Sequence, residues 1–249
     1  MLPDMTAEIR PGVHRPDWSV LATAGARKAI FGRARARFGL IEKWNQPLEP
    51  AQDHVWRTVL ELFARWGRPP GLREISKEAG LSEEQTRTLV SELQAHDLLD
   101  SDPSSDVILY AYPFTGERTE HNVQLRGQRF HAVCAIDALG IAGMFGTDVV
   151  IESSCRACGK HIEIGTAQGG KSLSHARPAD AVVWYDLAYS GRAAASCCPA
   201  IAFFCSGAEL QRWLSGQSPP RAGNLLTLDE ALEVGRALFE PVFAEAKPN

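Results

Sequence analysis

Residues 134–146 read CAIDALGIAGMFG, with Asp137 as the one charged position. A helix that is apolar around its whole circumference has no face to offer water and is stable only inside a core. This stretch is therefore expected to be a buried helix, enclosed by the rest of the chain. HNVQL and QRFHAV before it, and DVVIESS, HIEIGT, AVVWYDL and the run through AIAFF after it, are rich in β-branched and aromatic residues and read as strands. AELQRWLSG and TLDEALEVGRALFEPVF read as helices, the second opened by a capping box of Thr227 and Glu230. Strands with helices packed against them, out of regular alternation, predict an α+β fold with a mixed or antiparallel sheet and flanking helices.

Three regions are expected: an extension over 1–50, a helix-turn-helix or winged-helix-like unit over 51–115, and the strand-rich domain over 116–249. In the middle region, Val55, Val59, Leu60, Leu62 and Phe63 recur near helical spacing. Gly67, Pro69, Pro70 and Gly71 then break the chain. A short helix in LREISKEAG, a turn at Gly80 and a helix capped by Ser82 and Gln85 complete a helix-turn-helix outline. Residues 107–115, VILYAYPFT, read as one strand closing the unit. Over residues 51–110 there are six Arg or Lys against eleven Asp or Glu, and Glu83 and Glu84 open the would-be recognition helix. A DNA reader must neutralise phosphates with cations. The unit is therefore expected to be structural and not to bind nucleic acid. In the extension, the basic stretch from Arg27 to Arg37 reads as an amphipathic helix with a solvated face.

The net charge of −4 gives no general pull toward nucleic acid or an anionic membrane. No apolar run approaches the roughly 18 residues of a membrane-spanning helix, and no basic start leads into an apolar run as in a secretory signal. The expected location is the cytoplasm, where thiols stay reduced. The six cysteines (Cys134, Cys155, Cys158, Cys197, Cys198 and Cys205) are accordingly read as packing, metal-binding or reactive thiols before disulfides.

Cys134 and Asp137 stand three residues apart at a strand-to-helix change, so both side chains can point into one pocket. A helix N-terminus also favours a thiolate at Cys134. Cys197 and Cys198 lead into AIAFF, and adjacent cysteines in a strand face opposite ways, one into a site and one into packing. Cys155 and Cys158 form a CxxCG knuckle, half of many zinc sites, for which adjacent Cys197 and Cys198 make a poor second half.

RFHAVCAIDALGIAGMFG, VIESSCRACGKHIEI and ASCCPAIAFFCS, in that order, resemble the alkylmercury lyase family. The resemblance covers roughly residues 125–210 and extends loosely to the helix-turn-helix unit, which the family also has. It implies a catalytic trio of Cys134, Asp137 and Cys198. Cys197 is then the dispensable neighbour, although a one-residue shift would exchange the two. A further family cysteine is matched by Cys155, with a structural role. Cys158 departs from the pattern, which leaves room for a structural metal or a disulfide at Cys155 and Cys158.

The implied reaction cleaves the carbon–mercury bond of an alkyl or aryl mercury to a hydrocarbon and Hg(II). Mercury(II) is soft and is selected by thiolates, so Cys134 and Cys198 would hold the product. The departing carbon needs an acid within hydrogen-bond reach, the role of Asp137, whose pKa must be raised by burial or nearby negative charge. Asp137 is therefore expected to be buried, and Cys134 and Cys198 to lie within a few ångströms of each other. Phe130, Ile136, Phe145 and Phe203 are candidates for an apolar pocket wall, with Trp184 and Tyr185 beside them. No cofactor is required. External low-molecular-weight thiols or a mercuric reductase would take the mercury. The alternatives are a non-catalytic thiol-based protein that binds or senses mercury or zinc, and a thiol redox protein.

Overall fold

The computed structural model describes residues 16–35 and 39–244. The chain runs α1 (Ala24–Arg35), α2 (Leu40–Asn45), α3 (Pro50–Trp66), α4 (Leu72–Ala79), α5 (Glu83–Ala95), β1 (Leu99–Ser101), β2 (Ile108–Ala111), β3 (Phe114–Thr115), β4 (Asn122–Leu125) and β5 (Gln128–Ala132). It continues with α6 (Ala135–Phe145), β6 (Val150–Ser154), β7 (His161–Ala167), β8 (Ser172–Arg177), β9 (Val182–Asp186), β10 (Ala202–Phe204), α7 (Gly207–Ser215), β11 (Gly223–Thr227) and α8 (Leu228–Phe239). The fold is α+β, and every strand pair is antiparallel.

The winged-helix unit has the expected local signals. Pro50 begins α3, where its missing N–H costs nothing, and Gly67 ends it at φ 67°. The Ser82 side chain accepts from the Gln85 N–H to start α5. Strands β1 and β2 form the wing, and Gly71 bridges to Val107 beside it. The single strand expected over 107–115 is two strands, because the chain turns at Tyr112-Pro113 and β3 folds back on β2. From there an eight-stranded sheet, ordered β1-β2-β3-β5-β4-β6-β7-β8, runs from the wing into the second half of the chain. Phe63 of α3 stacks on Phe114 of β3 with ring centroids 5.6 Å apart, joining the helical unit to this sheet.

A second sheet, β10-β9-β11, meets α6 through β10 and α8 through β9 and β11. Helix α6 is the buried one expected from its composition: Ala135, Leu139, Ile141 and Ala142 are fully shielded. Its partner is α8, started by the Thr227–Glu230 capping box. The two helices touch almost backbone to backbone. A Cβ on Gly140 would sit 2.2 Å from the Phe239 ring and 2.9 Å from the Gly235 carbonyl oxygen. This close packing fixes the helix that begins at Cys134.

Arg27 to Arg37 is not wholly a solvated face. Arg33 is 2% exposed and donates to the Asp186 carbonyl, and at 3.3 Å to that of Ala188. A helix near a second sheet can lay one arginine across its strand ends, where carbonyls satisfy the guanidinium. Arg37 lies outside the described residues. Among the described residues no helix is long and apolar enough to cross a membrane.

Candidate active site

Cys134 caps the N-terminus of α6 in an extended conformation, and Asp137 lies in the first turn of that helix. The Ala135 N–H donates to the Ile201 carbonyl at 3.1 Å, tying this helix start to the segment just after Cys198. Cys197 and Cys198 are not in a strand. They stand at a 3-10 turn, Cys198–Ala200, ahead of β10, because Pro199 cannot donate to a ladder and favours a helical start. The Cys198 N–H donates to the Ala193 carbonyl at 3.0 Å. The turn brings the Cys198 sulfur, the Cys134 sulfur and an Asp137 oxygen within 4.8 Å of one another.

All three are buried, at 3%, 4% and 6% exposure for Cys134, Asp137 and Cys198. Burial, then the neighbouring negative charge of Cys197, pushes the Asp137 carboxyl up to about 7 against the opposing hydrogen bond from Cys134. One of its oxygens, Oδ2, is buried without a hydrogen-bond partner among the described residues. Burial raises the Cys134 thiol to about 11. Hydrogen bonds to Cys134 and Cys197, with burial, raise Cys198 well above its ordinary value. Cys197 goes the other way: the hydrogen bond from Cys198 outweighs burial, and the Arg33 guanidinium helps to hold it low. The group is thus a buried acid that holds its proton near neutrality, beside two thiols raised above their ordinary value and a third held below it. Sulfur pairs of this kind are ligands for a soft cation.

A model of the alkylmercury lyase family matches residues 114–240, just over half of the chain. The chain belongs to that family. An alkylmercury lyase of Staphylococcus epidermidis is 28% identical over 202 residues, covering 80% of this chain and 88% of the relative. The crystal structure of the mercury-bound form of MerB2 shares the fold, with a TM-score of 0.65 at 23% identity, over 77% of this chain and 91% of that one. Residues 58–103 match the IclR helix-turn-helix domain.

In this alkylmercury lyase family member, several expected wall residues belong to the general core. Phe145 lies at the far end of α6 from Cys134 and packs on Phe114 and Phe243. Phe130 packs on Phe114, and Phe203 meets the His121 ring edge-on. Ile136 is buried on α6, and the Trp184 indole donates to Asp186 at 3.0 Å. Tyr185 and Tyr112 feel the charge of the thiols: burial suppresses the acidity of Tyr185 against the relief given by Arg33, and burial and then Cys198 suppress that of Tyr112. Tyr112 and Arg33 were not legible as site residues. Neither lies near a cysteine in sequence, and only the folding of α1 and the β2–β3 turn brings them in.

The CxxC knuckle also finds an unanticipated partner. Cys155, Cys158 and Cys205 have their sulfurs within 4.8 Å of one another, with Cys158 and Cys205 at 3.7 Å. The signal was a cysteine one residue past the β10 strand, at the opposite end from Cys198.

Proposed function

We propose that the chain is an organomercurial lyase that cleaves the carbon–mercury bond by protonolysis, with Cys134, Asp137 and Cys198 as its reacting groups. The observation that carries this proposal is the convergence of those three groups within 4.8 Å, with burial pushing the acid among them up to about 7.

In the first step one thiol displaces the ligand X of R–Hg–X, forming R–Hg–S(Cys) and releasing HX. In the second, the other thiol adds to mercury while a proton is delivered to carbon from Asp137. The Hg–C bond breaks, and the electron pair of that bond takes the proton. The adding thiol returns its own proton to Asp137, so the acid is regenerated. The products are RH and Hg(II) held by Cys134 and Cys198. Two external thiols then exchange onto the metal and restore the cysteine protons; a mercuric reductase is an alternative acceptor. The reaction needs no further cofactor, and its chemistry suits a reducing cytoplasm.

Cys197 acts here through charge: beside Arg33 it favours the protonated form of Asp137 without binding carbon or mercury. Residues 51–115 serve as a scaffold rather than as a nucleic-acid reader, and residues 116–249 hold the reacting groups.

The test is to incubate purified protein with a phenylmercury salt and excess monothiol and to measure benzene in the headspace by gas chromatography. Benzene is expected from the native chain and not from Cys134→Ala or Asp137→Asn. Absence of benzene with tight mercury retention would point instead to a binding or sensing protein.

A further inference from the structure

The knuckle turn at Cys155–Cys158 and the end of β10 at Cys205 meet through backbone contacts that are independent of the reacting trio. The Cys155 N–H donates to the Lys160 carbonyl at 2.8 Å, and the Gly159 N–H donates to the Cys155 carbonyl at 2.8 Å. These close the turn, and Gly159 takes the positive φ of 73° that ends it. The Arg156 N–H donates to the Phe203 carbonyl at 3.1 Å, docking the turn against β10 two residues before Cys205. The result is three sulfurs in one cluster, of which Cys155 and Cys205 are buried and Cys158 is exposed.

We propose that Cys155, Cys158 and Cys205 form a second metal site, separate from the reacting trio, that takes a soft d10 dication through three thiolates. Zinc–thiolate bonds of about 2.3 Å in a tetrahedron place neighbouring sulfurs about 3.8 Å apart, and Cys158 and Cys205 lie 3.7 Å apart. The same sulfur donors suit Hg(II), the softer of the two cations. No fourth His, Cys, Asp or Glu joins the group among the described residues, so a solvent or external ligand would complete the coordination. Binding releases the thiol protons to solvent and involves no redox change. The bound metal pins the β6–β7 turn to β10, at the end of that strand opposite Cys198. This proposal does not depend on the lyase reading, since the metal is counted whether or not a carbon–mercury bond is cleaved.

The test loads the full chain, reduced and stripped of metal, with Zn(II) in one arm and Hg(II) in the other. Each sample is passed through buffer containing a monothiol, and the retained metal is counted by mass spectrometry. Cys158→Ser and the double variant Cys158→Ser/Cys205→Ser run alongside. The exposure of Cys158 makes its single variant safe for folding, and thermal melts check both. We expect the native chain to retain one more equivalent of metal in at least one arm than the Cys158→Ser chain does, the arm identifying the cation. Equal retention by native and variant chains in both arms would overturn the site.

Discussion

Asp97 Oδ2 accepts a hydrogen bond from the backbone N–H of Ala193 at 2.9 Å. Asp97 is buried inside the winged-helix unit, between α5 and β1, and Ala193 lies in the segment that delivers Cys198. The same oxygen accepts from the Tyr189 hydroxyl at 3.0 Å, and Arg192 pairs with Asp100 just beyond. Two of the acidic residues of the helix-turn-helix unit, Asp97 and Asp100, thus have a use inside the protein: they hold the loop behind the thiols. Asp97→Ala is expected to destabilise the fold by about 2–4 kcal/mol, and to lower turnover by about ten- to a hundredfold through misplacement of Cys198. Asp97→Asn, which keeps an acceptor oxygen, should recover much of both. Urea melts and steady-state benzene release measure the two effects.

Asp137 should leave a signature in stability against pH. Its folded pKa of about 7 lies above the ordinary carboxyl value of 3.8, so the folded chain binds the proton more tightly. Stability from this group is fully present below the unfolded pKa and falls as pH rises through about 7. The whole effect is at most about 4 kcal/mol. Urea midpoints taken near pH 4 and near pH 8 should show that loss in the native chain and a much flatter profile in Asp137→Asn. Parallel profiles would mean that the carboxyl is not held protonated.

The two adjacent cysteines should separate in function. Cys198→Ala is expected to lower hydrocarbon release by about a thousandfold or more, since it removes one of the two mercury ligands, whereas Cys197→Ala should stay within about tenfold of native, the scale of a lost electrostatic neighbour. Single-turnover assays on both variants decide this. A reversed order would put Cys197 in the trio.

The α6–α8 contact is a stability prediction away from the thiols. Gly140→Ala places a methyl against the Phe239 ring and the Gly235 carbonyl. Overpacking of this kind costs about 1–3 kcal/mol. Because Cys134 caps α6 and Asp137 lies in its first turn, activity should fall along with the melting temperature.

The buried helix, the capping boxes at Ser82 and Thr227, and the antiparallel strands around α6 were legible because each is written in neighbouring residues. Cys134 and Asp137 were legible for the same reason, three positions apart on one helix. What was not legible depends on distant contacts. Strand β8 has the polar sequence SLSHAR and was not anticipated: it is the edge of its sheet, with one neighbour and little burial to impose alternation. Arg33 reads as a surface cation until Asp186 and Ala188 offer it carbonyls from far along the chain. Cys205 became a partner of the CxxC knuckle only when Arg156 docked on Phe203. The closeness of Cys198 to Cys134 was expected, but the local form was not: a 3-10 turn at Cys198–Ala200, with Pro199 at its start, stands where a strand was expected.

The central claim is that a proton held at this site is placed directly on the carbon that leaves mercury. It is tested most directly by a single turnover of phenylmercury on the native chain in deuterated water, with the benzene analysed by mass spectrometry and the metal counted on the protein. One equivalent of monodeuterated benzene, with one equivalent of Hg(II) retained by Cys134 and Cys198, is the predicted result. Intact phenylmercury bound to the protein, with no benzene formed, would contradict it.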